Sequence, residues 1–257
     1  MPEVLYGRNP VLEALRAGRR IRRLLLAPGL SADQRLAEIM ERAGAAGVAQ
    51  ELTPRGRLDD VAHTEHHQGV AAYFDARQLA TGEALGRLAS SGTPGWPPVF
   101  LCLDEVQDPQ NLGSLTRSAE ALGVTAIVLP RHRTAPPSAA AAKASAGAIE
   151  HVRLVRVANL AQTLRELRQL GVMVLGMDAG STQSCDEVDL VQPLALVVGA
   201  EGAGLRPLTR HNCDLLVSIP MGGKVQSLNA SVAGSLLLYE VARQRRFAYP
   251  GRGQAQG

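Results

Sequence analysis

Three short stretches carry the polar residues that could do chemistry. Each lies where an apolar run gives way to a helical pattern. The first, Asp104–Gly123, opens a helix at Asp108-Pro109 in the favoured cap-then-proline order and continues through Asn111 and Arg117. The second, Leu196–Leu205, sets Glu201 among Gly199, Gly202 and Gly204. The third, Ile219–Glu240, leaves an apolar run, crosses a Gly-Gly loop with Lys224, and reaches Ser227-Leu228-Asn229 at the start of an apolar helix. Glycines permit tight turns and close approach of backbone to a ligand. A carboxylate between glycines has no easy place in a core, so Glu201 is solvent-facing or functional. A helix start reached by a glycine loop can hold something anionic with its spare N–H donors. An ordinary N-cap accounts equally well for Ser227, Asn229 and Ser231. The spacing GxxGxG is not that of a dinucleotide fingerprint, no acid follows about 20 residues on, and no Lys-Ser/Thr completes a P-loop.

These stretches need strands and helices to present them. From Val99 the chain alternates the two. Strands are expected at Val99–Asp104, Val124–Leu129, Val152–Val157, Val172–Met177, Leu194–Val198 and Leu215–Ile219. Helices start at Asp108 and Asn159 and end at Gly123 and Gly171. Arg131–Ala148 is expected as a long basic connection that ends as a helix. The alternation predicts an α/β fold, with a mostly parallel sheet covered on both faces. Ligands bind at the carboxyl ends of such strands, where the three stretches fall. In the last helix Val232, Leu236 and Tyr239 recur at helical spacing, with Ala233, Leu237 and Val241 beside them, so this helix is expected to be largely buried.

Residues 1–75 read as a separate small α/β domain. Strands are expected at Ile21–Ala27, near Val48–Leu52 and at Gln68–Phe74, with a helix from a Ser31 cap to Ala43 and another after Pro54. Residues 76–98, punctuated by Ser90–Pro98, read as a linker with a short helix around Glu83–Leu88, residues 99–246 as the second domain, and residues 247–257 as a frayed tail. His63, His66 and His67 lack the partner ligands of a metal site; no metal is expected, and His67-Gln68-Gly69 reads as a turn. Three scattered cysteines make no disulfide framework. No apolar run reaches membrane-spanning length and no signal pattern opens the chain, so a cytoplasmic protein is expected.

Only two of 27 basic residues are lysine, and arginine clusters at Arg16–Arg23, Arg131–Arg133 and Arg243–Arg246. Arginine suits phosphate, so a polyanion such as RNA is a candidate partner; solvated surface charge is the ordinary alternative. Aromatics at 3% argue against base stacking as the main mode of contact.

Taken together and in order, the three stretches resemble the three motifs of the SpoU/TrmH family of RNA ribose 2′-O-methyltransferases. Asp108-Pro109 with Asn111, Gly113 and Arg117 resembles the first motif, Gly199-Ala200-Glu201-Gly202 the second, and Ile219-Pro220-Met221 with Ser227-Leu228-Asn229 the third. Ala230 stands where the family pattern has valine, at a cost in packing volume only. Residues 1–75 are similar to the family's ribosomal-protein-like RNA-binding extension.

The resemblance implies a C-terminal trefoil knot, which reasoning from periodicity would have rejected as rare. It implies S-adenosylmethionine as cofactor, held by Gly199, Ala200, Ile219, Met221, Leu228 and Asn229. It implies a homodimer with its site near the subunit interface. The catalytic set it implies is Asn111, Arg117, Glu201, Ser227 and Asn229, with Arg117 activating the ribose hydroxyl. The members it resembles most methylate a guanosine ribose in the peptidyl-transferase loop of 23S rRNA. A tRNA or other rRNA target stays open, as does a non-catalytic RNA-binding protein that would bind no cofactor.

Overall fold

The computed structural model describes residues 2–224 and 227–249. The chain forms β1 (Glu3–Tyr6), α1 (Arg8–Arg16), β2 (Ile21–Leu26), α2 (Gln34–Ala45), β3 (Gln50–Leu52), α3 (Arg55–Ala62) and β4 (Val70–Phe74). There follow β5 (Ala80–Thr81), α4 (Ala84–Ala89), β6 (Val99–Leu103), α5 (Pro109–Ala121), β7 (Ala126–Pro130) and α6 (Ala139–Ala144). The remainder comprises β8 (Leu154–Val157), α7 (Leu160–Gln169), β9 (Met173–Met177), β10 (Leu194–Val198), α8 (Pro207–His211), β11 (Leu215–Val217) and α9 (Ala230–Gln244). Two compact units result. One takes the described residues to Gln78 together with Pro136–His151, and the other takes Leu79–Ala135 and the described residues from Val152 on.

The first unit is a four-stranded sheet in the order β1-β4-β2-β3, with β2 and β3 parallel and the other pairs antiparallel. Asp33 caps α2, accepting from Leu36 N at 2.7 Å. The expected cap, Ser31, instead offers its carbonyl to Arg8 at 3.2 Å. β1 and α1 were not anticipated. Nor was the return of Pro136–His151 to this unit, expected only as part of a basic connection. Glu150, its carboxylate side chain 1% exposed, pairs with Arg19 at 3.2 Å and Arg77 at 2.5 Å. His67 is a buried turn residue. Its Nε2 lies 2.9 Å from Asp59, and its Nδ1 accepts from Gly69 N at 2.9 Å. No group of three or more His, Cys, Asp or Glu among the described residues is placed to hold a metal.

The second unit is a seven-stranded, wholly parallel sheet in the order β11-β9-β10-β6-β7-β8-β5. Strands β6 and β10 are buried at every residue, as central strands covered on both faces must be. Chain order reverses at β6: β7 and β8 extend one way, β10, β9 and β11 the other. The loops after β6 and β10 therefore diverge at a topological switch point, where open α/β sheets bind ligands. Asp108 caps α5 and Asn159 caps α7, both as expected.

From Leu79 on, the segment expected as a linker belongs to this unit. β5 pairs with β8, and Trp96 is buried, donating to the Gly123 carbonyl at 3.0 Å. Within the expected tail, Tyr249 stacks at 4.6 Å on Trp96; residues 250–257 lie outside those described. No helix among the described residues is long and apolar enough to cross a membrane.

One sequence expectation is overturned in part. Val232, Leu236 and Tyr239 are 48%, 44% and 52% exposed. α9 buries Leu237 and Val241 as expected, but does so beside Ala230, Gly234, Leu238 and Ala242. Gly234 explains the choice: a Cβ there would stand 2.6 Å from Leu115 Cδ2, so the small residue lets α5 approach. The arginine clusters are also largely spoken for. Arg16 pairs with Glu13 and Glu38, Arg22 with Asp75, Arg23 with Glu51 and Arg243 with Glu240. Arg245 is buried against Trp96 and donates to the carbonyls of Leu190, Pro97 and Gln192; burial lowers its pKa to about 10.

Candidate active site

The three stretches meet at one end of the second unit. Asn111 sits in the first turn of α5, fixed by the Asp108-Pro109 start. Glu201 lies on the loop after β10. Asn229 caps α9, its Oδ1 accepting from Ser231 N at 2.9 Å, Val232 N at 3.3 Å and the Ser231 hydroxyl at 2.6 Å. Its Nδ2 is thereby turned outward. It donates to Asn111 Oδ1 at 3.0 Å and to Glu201 Oε2 at 2.9 Å, while Asn111 Nδ2 donates to the same Glu201 oxygen at 3.3 Å. One residue from each stretch thus joins a closed polar triangle, in which two amides aim donors at one carboxylate.

Beside it lies a cavity of about 700 Å³ lined by Gly199, Ala200, Glu201, Ile219, Met221 and Leu228, with Ser227 also on the wall. The loop from Gly199 to Leu205 doubles back on itself: Ala200 and Gly204 exchange N–H···O bonds at 3.1 and 2.9 Å. A Cβ on Gly199 would fall 2.3 Å from the carbonyl carbon and oxygen of Gly204, so only glycine fits. Gly202 and Gly204 turn the loop at positive φ. The Ser227 hydroxyl has no hydrogen-bond partner among the described residues. Gln226, in the expected glycine loop, lies outside them.

Of the expected cofactor residues, Gly199, Ala200, Ile219, Met221 and Leu228 line the cavity; Asn229 is held in the triangle instead. Of the expected catalytic residues, Asn111, Glu201 and Asn229 are brought together and Ser227 lines the cavity. Arg117 is not. It lies six residues beyond Asn111, about 120° round the helix, exposed and without an ion-pair partner among the described residues.

Two ion pairs at the cavity's edge were not foreseen. Asp104, fully buried at the end of β6, accepts from Arg206 N at 2.9 Å and Nε at 2.7 Å. Asp178, just past β9, pairs with Arg210. Together they pin α8, and with it the end of the glycine loop, to two strand ends. The acids at strand ends were visible in the sequence; their partners, far along the chain, were not.

Comparison with known proteins accords with this arrangement. Residues 98–239 match the SpoU rRNA methylase family, and residues 4–80 match the RNA 2′-O ribose methyltransferase substrate-binding domain. A Bacillus subtilis protein assigned to the TrmH family of tRNA/rRNA methyltransferases is 42% identical over 243 residues, covering 95% of this chain and 96% of its own. The SpoU methyltransferase AviRb of Streptomyces viridochromogenes, solved in complex with AdoMet, superposes with a TM-score of 0.77 at 26% identity, covering 95% of this chain and 90% of its own. A structure concerned with 2′-OH methylation of C/U34 on tRNA matches 58% of this chain and 97% of its own, at 31% identity and a TM-score of 0.53. The chain belongs to the SpoU rRNA methylase family and is an RNA methyltransferase.

Proposed function

We propose that this protein transfers the methyl group of S-adenosylmethionine to the ribose 2′-OH of a guanosine in 23S rRNA, working as a homodimer. The observation that carries the reading is the Asn111–Glu201–Asn229 triangle at the edge of a cavity lined with glycine backbone. The cavity suits the cofactor: its volume falls in the range of small-molecule sites, and Ile219, Leu228 and Met177 offer apolar surface to a base and a methionine chain. Gly199 lets the backbone of Gly204 close against it and so shapes one wall of the cavity.

When bound, the cofactor supplies a methyl already activated by its sulfonium. The chain's own residues must then align the hydroxyl and take its proton. Glu201 is the acceptor in reach, and the amides of Asn111 and Asn229 hold its carboxylate in one orientation. Ser227, unpartnered on the wall, is free to position the ribose. Arg117 is too basic to act as a base. Exposed and unpaired, it suits the phosphate beside the target, or a developing alkoxide in a site completed across a dimer. The exposed Val232–Leu236–Tyr239 stripe supports that dimer, because a monomer gains nothing by leaving it in water. The same proposal includes the knot. In its support, the chain leaves the sheet edge at β11 and returns to pack α9 on α5, where Ser235 Oγ lies 2.7 Å from Ser118 Oγ.

A tRNA ribose is the second reading, favoured by the match to the tRNA-methylation structure. Mapping 2′-O-methyl sites in total RNA with and without the gene separates the two, since one class of site disappears. Arg117→Ala is expected to keep cofactor binding in calorimetry and lose methyl transfer; undiminished turnover would remove Arg117 from the site.

A further inference from the structure

The first unit has arginine-lined hollows that differ in what their arginines already hold. One is formed by Arg19, Arg20, Arg22 and Arg42 near the ends of α1 and α2. Its charges are mostly discharged: Arg19 on Glu3 and Glu150, Arg22 on Asp75, Arg42 on Glu38. A second, beside Tyr73, contains Arg22 with its partner Asp75, and Arg23, which is bonded to Glu51 at 2.6 Å. The third, of about 470 Å³, lies between the start of α1, the loop before α2, and the start of α3. It is lined by Arg8, Asn9, Arg35, Arg55 and Gln68 among others. Arg8 is built into its wall, held by Asp33 at 2.5 Å and by the Ser31 carbonyl at 3.2 Å. Gln68 is fixed too, accepting from Arg8 N at 3.1 Å. Arg35 and Arg55 make no ion pair among the described residues, and the Asn9 side chain makes no hydrogen bond among them. Two guanidinium forks without an ion pair and an unbonded amide thus face a hollow whose one carboxylate among the described residues, Asp33, is bonded to Arg8 and lies near enough to Arg35 to feel its charge.

We propose that this hollow, and not the denser Arg16–Arg23 cluster, is where the first unit grips the sugar–phosphate backbone of its RNA. Guanidinium forks match phosphate oxygens in paired hydrogen bonds, whereas an arginine already bonded to a carboxylate has little left to give. No aromatic ring lines the hollow, so it holds backbone and positions the RNA without reading its bases. The inference rests on the RNA methyltransferase reading and adds to it the surface that holds the substrate.

The test uses the full chain and two labelled transcripts, the peptidyl-transferase-loop region of 23S rRNA and a tRNA, titrated over a range of salt. The double substitution Arg35→Ala, Arg55→Ala is expected to weaken binding of the preferred transcript at least about tenfold near physiological salt. It should also flatten the log-affinity against log-salt slope by about 0.7–0.9 for each phosphate no longer gripped. Heat of S-adenosylmethionine binding should not change. The control pair Arg22→Ala, Arg42→Ala should stay within about twofold of wild type, because each is already paired with a carboxylate. Wild-type affinity in the Arg35/Arg55 variant, or an equal loss in the control, overturns the assignment. Wild-type protein that binds neither transcript removes the RNA reading itself, and this site with it.

Discussion

Asn229 does two things that substitution can separate. Its Oδ1 caps α9, and its Nδ2 feeds Asn111 and Glu201. Asn229→Ala removes both. Losing the cap costs about 1 kcal/mol, a fall in melting temperature of about 2–4 °C. Asn229→Ser keeps a cap oxygen, since serine is as good an N-cap as asparagine, but is too short to reach Asn111 or Glu201. It should therefore melt closer to wild type than Asn229→Ala does. Both variants lose the donation to the Glu201 carboxylate. A hydrogen bond to a charged group contributes about 1.5–3 kcal/mol, so if that orientation matters in the transition state, methyl transfer falls about 10- to 150-fold in each. The assay is single-turnover transfer of labelled methyl at saturating cofactor, run beside calorimetric melting. Near-wild-type turnover by Asn229→Ser would refute the catalytic role of the triangle and leave Asn229 a helix cap. A loss confined to Asn229→Ala, in step with melting, would say the same.

Three further outcomes are expected. Gly199→Ala drives a methyl group to 2.3 Å from Gly204 backbone, and the loop must move; overpacking of this kind costs about 1–3 kcal/mol, so cofactor affinity should fall about tenfold or more while RNA binding holds. Leu236→Glu with Tyr239→Glu should convert a dimer to a monomer in light scattering without loss of helical signal, because both side chains are exposed within one chain. In the first unit, hydrogen bonds from Arg16 and then Arg42 hold the Glu38 carboxyl down at about 2. A depressed carboxylate lends stability above its ordinary value near 4.5 and loses it as pH falls toward 2. Circular dichroism across that window should show the first unit weakening, with less pH dependence in 1 M salt or in Arg16→Ala, Arg42→Ala.

What was legible followed from local rules. The all-apolar runs of β6 and β10 fitted doubly covered strands, and Asp108-Pro109 fitted a helix start. Three polar stretches at strand ends pointed to one binding edge, and the structure ties them together through Asn111, Glu201 and Asn229. What was not legible depended on distant partners. Arg16–Arg23 read as a basic cluster because the carboxylates that neutralise it, Glu38, Glu51, Asp75 and Glu150, lie elsewhere in the chain. The return of Pro136–His151 to the first unit is likewise a matter of long-range pairing. The apolar stripe of α9 was legible as a stripe. Periodicity reports that one side is apolar, not whether this chain covers it, and the side carrying Gly234, Leu237, Leu238 and Val241 is the one this chain buries.

That choice of face bears on the chemistry. α9 carries Asn229 at its first turn, and α5 carries Asn111 at its own, so the distance between the two amides is set by how closely the helices pack. Gly234 and Leu115 set it: the missing Cβ lets the helices close, and the Ser118–Ser235 contact beside it holds them together. Glu201 arrives separately, on a glycine loop whose end is tied to the sheet by Asp104 and Arg206. The triangle is thus held from two sides by buried contacts, while Ser227 and the glycine loop before it carry no such ties among the described residues. The stripe α9 leaves exposed begins at Val232, three residues from Asn229, so a second subunit seated there would meet the same helix that holds the triangle.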